Sequence, residues 1–210
     1  MTILNIETST SCCSAAITIE GKVVAHRENL SGANHASELP VFIEQLLAEA
    51  KTNGWRLDAV ALSEGPGSYT GLRIGASTAK GICYGLNIPL IPIDTLQILC
   101  AAVQAKLNIQ KEDALLCPMI DARRMEVYAA IYDRALNTVK ETSADIIDGE
   151  SYKEYLDKQP VYFFGNGAAK CKEVINICDG CRLGFVNDVE ICLPEGSVKA
   201  IIVFGPCRFF

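Results

Sequence analysis

The hydrophobic pattern of this chain changes its period in a fixed order, and that order constrains the fold more than any other feature. Three short apolar runs separated by turn residues come first, as in an antiparallel meander of strands. Apolar residues then recur every three or four positions, which is typical of an amphipathic helix. Strands that alternate with helices after a meander predict an α/β fold with a mixed sheet. The predicted elements are strands at 4–7, 13–19, 23–27, 58–62 and 89–93 and helices at 36–50, 70–84 and 96–107.

The second half of the chain begins the same order again. Glu7 precedes the run Ala15-Ala16-Ile17 by the same spacing as Asp121 precedes Ala129-Ala130-Ile131. Together with the matching order of elements, this spacing favours two similar lobes. The predicted lobes are residues 1–107 and 108–210. The predicted elements of the second half are strands at 114–121, 126–132, 138–147 and 161–164 and helices at 151–157 and 168–177.

The composition excludes several classes of protein. The chain has 210 residues, of which 50% are apolar and 21% are charged, as in an ordinary folded domain. No apolar run reaches the roughly 18 residues of a membrane-spanning helix, and the first residues lack the segments of a signal peptide. A net charge of −6 argues against a chain that binds nucleic acid alone, because phosphate contacts need surplus Lys and Arg. We therefore expect a cytoplasmic protein that is not in the membrane.

The ten cysteines are expected to be reduced, because disulfides are rare in the cytoplasm. Cys178 and Cys181 form a C-x-x-C pair, yet neither a second pair nor a histidine pair completes the four ligands of a structural zinc site. We predict a turn with two thiols there and no metal. Five other cysteines lie in apolar or small-residue stretches, as buried thiols do. They are Cys12, Cys13, Cys83, Cys100 and Cys117.

A glycine-rich segment, residues 63–75, follows a predicted strand and opens a predicted helix. Backbone N–H groups at such a place can bind an anion with the help of the helix dipole. The known phosphate-binding spacings do not fit, because Leu72 follows Gly71 where a Walker motif needs Lys, and Thr70 replaces the last glycine of the dinucleotide pattern. The spacing favours a tight turn that lets the helix pack closely, with Ser68 as a helix cap.

The same segment resembles the signature of the bacterial TsaB (YeaZ) family. Stretches at 6–9, 35–38 and 121–128 agree with that family in the right order, and residues 165–168 resemble a further family position. The resemblance runs from residue 1 to about residue 175. Within the loop it is carried by Gly65, Pro66, Gly67, Ser68, Tyr69, Thr70, Gly71, Arg73 and Gly75.

This resemblance implies an actin-like, sugar-kinase-like (ribonuclease H-like) fold of duplicated ββαβα lobes with mixed sheets. It also implies a function, because the family supplies a partner subunit for threonylcarbamoyladenosine synthesis on tRNA. There the catalytic paralogue TsaD transfers a threonylcarbamoyl group to the adenosine beside the anticodon, and TsaE is an ATPase. The resemblance therefore implies a non-catalytic subunit that supports TsaD together with TsaE. We expect this subunit to have no cofactor, to form a homodimer when alone, and to meet tRNA only through the complex.

Two turns would hold the phosphates if the chain were an active actin-like ATPase. Each turn of such an enzyme offers a carboxylate near magnesium and a glycine that lets the backbone approach the anion. Neither turn contains glycine here, so the sequence predicts a degenerate nucleotide cleft. The alternative is an ATP-binding enzyme of the actin-like superfamily with its own turnover. The residues of the predicted cleft are Glu7, Thr8, Ser9, Asp121, Arg123 and Arg124.

A metallopeptidase is not expected. The chain has two histidines, His26 and His35, and no H-E-x-x-H motif. Two imidazoles alone do not make a catalytic zinc site, which needs a further ligand at suitable geometry. We interpret His35 as a hydrogen-bonding residue near the start of a helix.

A non-catalytic subunit needs a surface that binds its partner. The apolar stripe of helix 36–50 and the small-residue face of helix 70–84 could meet two equivalent helices of a similar lobe in a four-helix contact. Glu38, Gln45 and Glu49 mark the polar border of the stripe. The alternative is that the stripe covers the sheet of its own lobe. The predicted contact residues are Leu39, Phe42, Ile43, Leu46, Ala76 and Ala79.

The closing stretch, after about residue 190, does not resemble the family's usual end. That end is a helix followed by a Pro-x-Tyr-like tail, whereas this chain has an apolar run at residues 201–204, which is not expected to lie free in water. A truncated or frameshifted end is one interpretation, and it leaves the packing of the second lobe open.

Overall fold

The computed structural model describes residues 1–29, 34–106, 113–172, 174–175, 180–186, 189–194 and 200–203, the last three stretches and residue 106 by their backbone alone. The chain forms two compact units, of which the first is Met1–Ile98 and the second begins at Leu99. The predicted boundary between residues 107 and 108 lies outside the described residues and stays a prediction.

The first unit contains every element that the sequence predicts for it. Its elements are β1 (Thr2–Glu7), β2 (Cys13–Ile19), β3 (Lys22–Asn29), α1 (His35–Asn53), β4 (Ala59–Gly65), α2 (Tyr69–Leu86) and β5 (Leu90–Asp94). The sheet has the order β3-β2-β1-β4-β5. The strands β1, β2 and β3 form the antiparallel meander, and β4 and β5 run parallel to β1. Helix α3 (Thr95–Lys106) begins in this unit and continues in the second.

Helices α1 and α2 pack on the same face of this sheet. The apolar residues of α1 recur at helical spacing and are buried with Leu4 and Val60 of the sheet. Pro40 falls near the first turn of α1, where it is tolerated. The helix ends where Gly54 takes a φ of +70° and donates its N–H to the last carbonyl groups. No helix in the described ranges is long and apolar enough to cross a membrane.

The second unit repeats the order on a smaller scale. Its elements are β6 (Leu115–Asp121), β7 (Glu126–Tyr132), β8 (Thr138–Ile146), α4 (Lys153–Leu156), β9 (Val161–Phe164) and α5 (Ala168–Cys171). The sheet has the order β8-β7-β6-β9, in which β6, β7 and β8 are antiparallel and β9 is parallel to β6. Met119, Ile131 and Phe163 lie at the centre of its core.

Both helices of the second unit are shorter than predicted. Helix α4 is a single turn instead of 151–157, because Tyr152 takes a left-handed φ of +63° directly before it and buries its ring in the core. Helix α5 ends at Cys171. The predicted helix 168–177 extends into residues that lie outside the described part of the chain.

The two units share one topology, in which the first strand of a meander also pairs in parallel with a fourth strand. This confirms an actin-like fold of duplicated lobes. The registers differ by one residue, because Glu7 pairs with Ser14 whereas Asp121 pairs with Val127. The turn after β1 is therefore one residue longer than the turn after β6.

Three further strands follow in the second unit, where the sequence predicts no element. They are β10 (Gly180–Val186), β11 (Val189–Pro194) and β12 (Ala200–Val203), and they form an antiparallel sheet in that order. Cys181 lies on β10, whereas Cys178 lies outside the described residues. The predicted turn with two thiols therefore stays a prediction.

The buried-thiol prediction is confirmed for four of the five cysteines. Cys12, Cys13, Cys100 and Cys117 are buried, and Cys83 is half-buried. Burial raises the pKa of the Cys13 thiol to about 12. Such a thiol stays protonated at neutral pH and is therefore a packing residue instead of a nucleophile.

Candidate functional site

The first turn, residues 8–12 between β1 and β2, begins beside a buried carboxylate. Glu7 at the end of β1 is 3% exposed. Its Oε1 accepts hydrogen bonds from the Ser9 N–H at 2.6 Å, from the Ser9 hydroxyl, and from the Ser63 hydroxyl of β4 at 3.0 Å. One oxygen of the carboxylate that would stand near magnesium in an active actin-like ATPase is therefore bound by donors of its own unit.

Burial raises the pKa of Glu7 above its ordinary value of 4.5, although the hydrogen bonds from Ser9 and Ser63 lower it. A buried carboxylate loses hydration, and these donors replace that hydration only in part. Burial therefore makes Glu7 harder to ionise than an exposed carboxylate. This weakens it as a magnesium ligand, because such a ligand binds in the ionised form.

The glycine-rich segment at residues 63–75, which we call the signature loop, packs on the first turn. Its glycines make that contact possible. A Cβ atom at Gly67 would overlap the carbonyl group of Ser9, and one at Gly71 would overlap the carbonyl oxygen of Thr8. A Cβ atom at Gly75 would overlap the Thr8 hydroxyl and approach a methyl group of Leu62 to 3.0 Å. The prediction that these glycines let the helix pack closely is confirmed.

Hydrogen bonds tie the start of α2 to the same turn. The Ser68 N–H donates to the carbonyl oxygen of Ser9 at 2.6 Å. The Ser68 hydroxyl accepts from the Gly71 N–H at 3.3 Å, so the prediction of Ser68 as the helix cap is confirmed. The N–H groups of Ser68 and Gly71, which could have faced an anion, are used inside the first unit.

His35 links the start of α1 to the first turn. Its Nε2 lies 3.0 Å from the carbonyl oxygen of Thr10 and 3.2 Å from that of Cys12, so this nitrogen carries the proton and donates. The hydrogen-bonding interpretation of His35 is confirmed. Within the described ranges, no group of three or more His, Cys, Asp or Glu side chains could bind a metal ion.

A small cavity of about 130 Å³ lies beside Glu7 within the first unit. Asn5 and Ser63 supply its other polar groups, and the remaining lining is apolar: Ile6, Ala61, Leu62, Ile93 and Ile98. Pockets for cofactors and drug-sized ligands have about 300–1,000 Å³. This cavity is therefore too small for a nucleotide.

The second turn, residues 122–125 between β6 and β7, is held by Lys170 of α5. The Lys170 ammonium group donates to Asp121 Oδ1 and to the carbonyl oxygens of Arg124 at 2.7 Å and Glu126 at 2.6 Å. Asp121 Oδ1 also accepts the Arg123 N–H at 2.9 Å. The carboxylate at this turn is thus paired with a cation that the chain itself supplies.

The pKa of Asp121 lies below its ordinary value of 3.8. Desolvation raises it, but the Lys170 ammonium group and the Arg123 N–H together outweigh desolvation. Asp121 is therefore ionised near neutral pH, and the Lys170 ammonium group balances its charge.

Gly165 and Gly167 have in the second unit the role that the loop glycines have in the first. A Cβ atom at Gly165 would overlap the carbonyl oxygen of Met119, and one at Gly167 would lie 2.9 Å from the carbonyl carbon of Ile120. Between them, Asn166 Oδ1 accepts the Asp121 N–H at 3.0 Å. The N–H group of Asp121, directly before the second turn, therefore also has an acceptor within the unit.

Each unit of the structure contains one group of the predicted site residues. Ser63 and Lys170, which complete these groups, were not among the predicted residues. Asn166 and Gly167 lie in a stretch whose family resemblance could have pointed to them. No spacing rule identifies a lysine such as Lys170, because it binds backbone carbonyl groups. The first group is Glu7, Thr8 and Ser9 with the signature loop, and the second is Asp121, Arg123 and Arg124 with Lys170.

The predicted partner contact needs revision. Four of its six residues are buried in the core of the first unit, so they cover their own sheet and offer no surface to a partner: Leu39, Ile43, Leu46 and Ala79. Phe42 and Ala76 are half-buried against the same core. The helical period identified the stripe, but it did not distinguish the side of the helix that faces the unit's own sheet.

The predicted polar border of the stripe is bound to β3 of the same unit. Arg27 of β3 donates to Gln45 at 2.8 Å and to Glu49 at 3.1 Å. Asn29, also of β3, donates to Glu38. These three residues of α1 therefore face the neighbouring strand, whereas Ala36 and Pro40 lie on the side of α1 toward α2.

An open groove of about 420 Å³ lies between α1 and α2. Helical spacing continues the groove side of α2 to Gly81, where a Cβ atom would meet no described atom within 4 Å. We call this surface the helix groove. Its residues are Ala36, Pro40, Thr70, Arg73, Ile74, Ser77, Thr78 and Gly81.

The duplicated lobes define a protein of the actin-like class. In both of its turns, a backbone N–H group donates to a carboxylate side chain of the same chain. The family model for TsaD, tRNA N6-adenosine threonylcarbamoyltransferase, matches residues 28–193. The chain is 30% identical to the tRNA threonylcarbamoyladenosine biosynthesis protein TsaB of Bacillus subtilis (strain 168) over 206 residues. The match covers 96% of this chain and 86% of that protein. The chain belongs to the TsaB family.

Two further similarities extend this result. The TsaB protein of Escherichia coli (strain K12) is 35% identical over 139 residues, which are 66% of this chain and 58% of that protein. The match therefore spans less than two thirds of the Escherichia coli relative. A solved structure described as an uncharacterized protein with similarity to peptidase YEAZ from Pseudomonas aeruginosa has a TM-score of 0.68 and 25% identity, and covers 83% of this chain and 80% of that one.

Gly71→Ala should destabilise the chain although alanine favours helices. The new Cβ would overlap the backbone of Thr8, which cannot move aside as a flexible side chain would. We expect the free energy of unfolding to fall by about 2 kcal/mol, as for other overpacked contacts. The matched control is Gly81→Ala on the same helix, where the Cβ is free of contacts and stability should rise by about 0.5–1 kcal/mol. Equal effects of the two substitutions in urea denaturation would contradict the packing assigned to Gly71.

The raised pKa of Glu7 predicts how stability changes with pH. The folded chain keeps the Glu7 proton at a pH where the unfolded chain has released it, so the free energy of unfolding falls as pH rises above 4.5 toward the folded pKa. Glu7→Gln removes this titration, so the variant should lose less stability than the wild type as the pH rises above 4.5. Glu64→Gln, at an exposed position of β4, is the control and should follow the wild type. Parallel pH profiles for Glu7→Gln and the wild type would refute the assignment.

Proposed function

We propose that the chain is a non-catalytic binding subunit in the biosynthesis of threonylcarbamoyladenosine on tRNA. In this proposal it docks on the catalytic paralogue TsaD, acts in the cytoplasm together with the ATPase TsaE, and meets tRNA only within that complex. The names of its relatives in Bacillus subtilis and Escherichia coli support the pathway. The match to the TsaD model supports a partner that is built on the same lobe.

The observation that carries the proposal is the engagement of backbone donors at both turns. Phosphoryl transfer depends on backbone N–H groups and metal ions arranged around the phosphates. Here the Ser9 N–H donates to Glu7, the Arg123 N–H donates to Asp121, and the Asp121 carboxylate is paired with Lys170. An ATP-binding enzyme with its own turnover would have to break these bonds first. The geometry therefore favours the binding subunit over that alternative.

The helix groove is the surface that we assign to TsaD. A paralogue with the same lobe carries an equivalent pair of helices, and two such pairs can pack as four helices whose axes lie about 8–10 Å apart. When TsaD is absent, a second copy of this chain offers the same pair and takes its place. The proposed contact thus keeps the two predicted helices but uses their solvent-facing sides.

Gly81 supports a partner at this groove. A glycine inside a helix costs about 1 kcal/mol relative to alanine. No contact within the described part of the unit requires its lack of a side chain. A partner helix in close contact would require it, because a Cβ atom at that position would hold the two backbones apart.

Ser77→Arg tests the docking assignment. Ser77 is exposed, so we expect the free energy of unfolding of the isolated chain to stay within about 0.5 kcal/mol of the wild type. A long charged side chain in the groove should instead weaken association with TsaD by at least about tenfold, which is about 1.4 kcal/mol of binding free energy. In the measurement, tagged TsaD from the same organism is titrated with each variant, and light scattering monitors formation of the complex.

Thr52→Arg is the matched control, because Thr52 is exposed near the other end of α1 and does not line the groove. This variant should bind TsaD as the wild type does. In the absence of TsaD, Ser77→Arg should also shift the chain from dimer to monomer, and Thr52→Arg should not. Association of Ser77→Arg with wild-type affinity would exclude the helix groove as the docking surface.

A further inference from the structure

The second turn holds two adjacent arginines in a backbone conformation that disfavours them. The φ angle is +74° at Arg123 and +48° at Arg124. This left-handed region is adopted readily by glycine and tolerated by Asn and Asp, whereas other L residues adopt it at a cost. Both arginines are exposed, so burial of apolar surface does not compensate for that cost.

The neighbouring bonds keep the turn in this conformation. The Lys170 ammonium group binds the carbonyl oxygens on either side of Met125, and Asp121 accepts the Arg123 N–H. The Ala122 N–H donates to the Glu126 carbonyl oxygen at 3.1 Å. Strained residues persist where the surrounding structure fixes them, and they occur most often at functional sites.

The same bonds decide which groups of the turn can meet a ligand. The N–H groups of Asp121, Ala122, Arg123 and Glu126 all donate to acceptors within the second unit. The backbone of these residues therefore offers no cradle to a triphosphate, which is held by several such N–H groups in enzymes. The groups that project from the turn are the side chains of Arg123 and Arg124.

We propose that Arg123 and Arg124 contact the phosphodiester backbone of tRNA within the complex. A guanidinium group binds phosphate oxygens through paired N–H donors in one plane, and it stays charged at every physiological pH. The net charge of −6 opposes RNA binding by the isolated chain, so the contact forms when TsaD holds the tRNA. The inference therefore rests on the proposed function.

The double variant Arg123→Asn/Arg124→Gly separates binding from stability. Asn and Gly adopt left-handed φ angles more readily than Arg, so the turn keeps its shape and Tm should rise. The loss of two guanidinium groups should raise the Kd of the TsaD complex for a labelled, unmodified tRNA transcript by about tenfold. The slope of log affinity against log KCl should fall by about 1–2, since each lost phosphate contact accounts for about 0.7–0.9. Fluorescence anisotropy between about 50 and 200 mM KCl measures both.

Lys153→Ala/Lys158→Ala is the matched control, because it removes two exposed positive charges elsewhere in the second unit. It should leave the Kd within about twofold of the wild type. An equal loss of tRNA affinity in both double variants would overturn the inference, since it would reflect the change in net charge alone. So would an unchanged Kd and slope for Arg123→Asn/Arg124→Gly, or Mg-ATP binding to the isolated chain that this variant abolishes.

The association of each variant with TsaD is measured in the same samples. If the complex forms and its tRNA affinity does not depend on the two arginines, this inference fails and the proposed function stands. If the wild-type chain does not associate with TsaD, the proposed function fails and the inference fails with it.

Discussion

The close contact between helix α2 and the first turn is the constraint on which the first unit depends. Gly67 and Gly71 bring the helix backbone against the carbonyl groups of Ser9 and Thr8, at a distance that no side chain would permit. Ser68 then donates to Ser9, and the Ser9 N–H donates to Glu7. A phosphate-binding loop needs such backbone groups to be open. The same packing therefore explains why the loop is rich in glycine, and it uses backbone groups that a phosphate site would leave open.

The two units share a topology, but the carboxylate before the turn is bound by different groups in each unit. In the first unit the carboxylate is buried among hydroxyl groups, and its pKa is raised. In the second unit the carboxylate is ionised and paired with the Lys170 ammonium group, and its pKa is lowered. Both arrangements use the groups on which a magnesium site would depend. The chain therefore keeps the fold of an actin-like ATPase, while its described turn residues serve internal contacts and, in our proposal, contact with tRNA.

The order of the elements could be predicted because burial leaves a period in the sequence, and nine strands and three long helices follow from it. The close packing that the loop glycines permit could also be predicted from the sequence, since their spacing does not fit the known phosphate-binding motifs. The side of α1 that faces the sheet could not be predicted, because the stripe that includes Leu39 and Leu46 fits either a core or an interface. Lys170 was missed because two of its three partners are backbone carbonyl groups, which every residue has. The strands β10–β12 carry no period that the sequence rules recognise.

Titration calorimetry of the isolated chain with Mg-ATP tests the central claim most directly. Internal bonds occupy the N–H groups of Ser9 and Cys12 in the first turn and of Ala122 and Arg123 in the second. We therefore predict a Kd weaker than about 1 mM, which is less than about 4 kcal/mol of binding free energy. Binding with a Kd near 1 μM, or about 8 kcal/mol, that is lost in Asp121→Asn would contradict the claim. Such a result would mean that the turns open to hold a triphosphate and that the chain has retained an active nucleotide site.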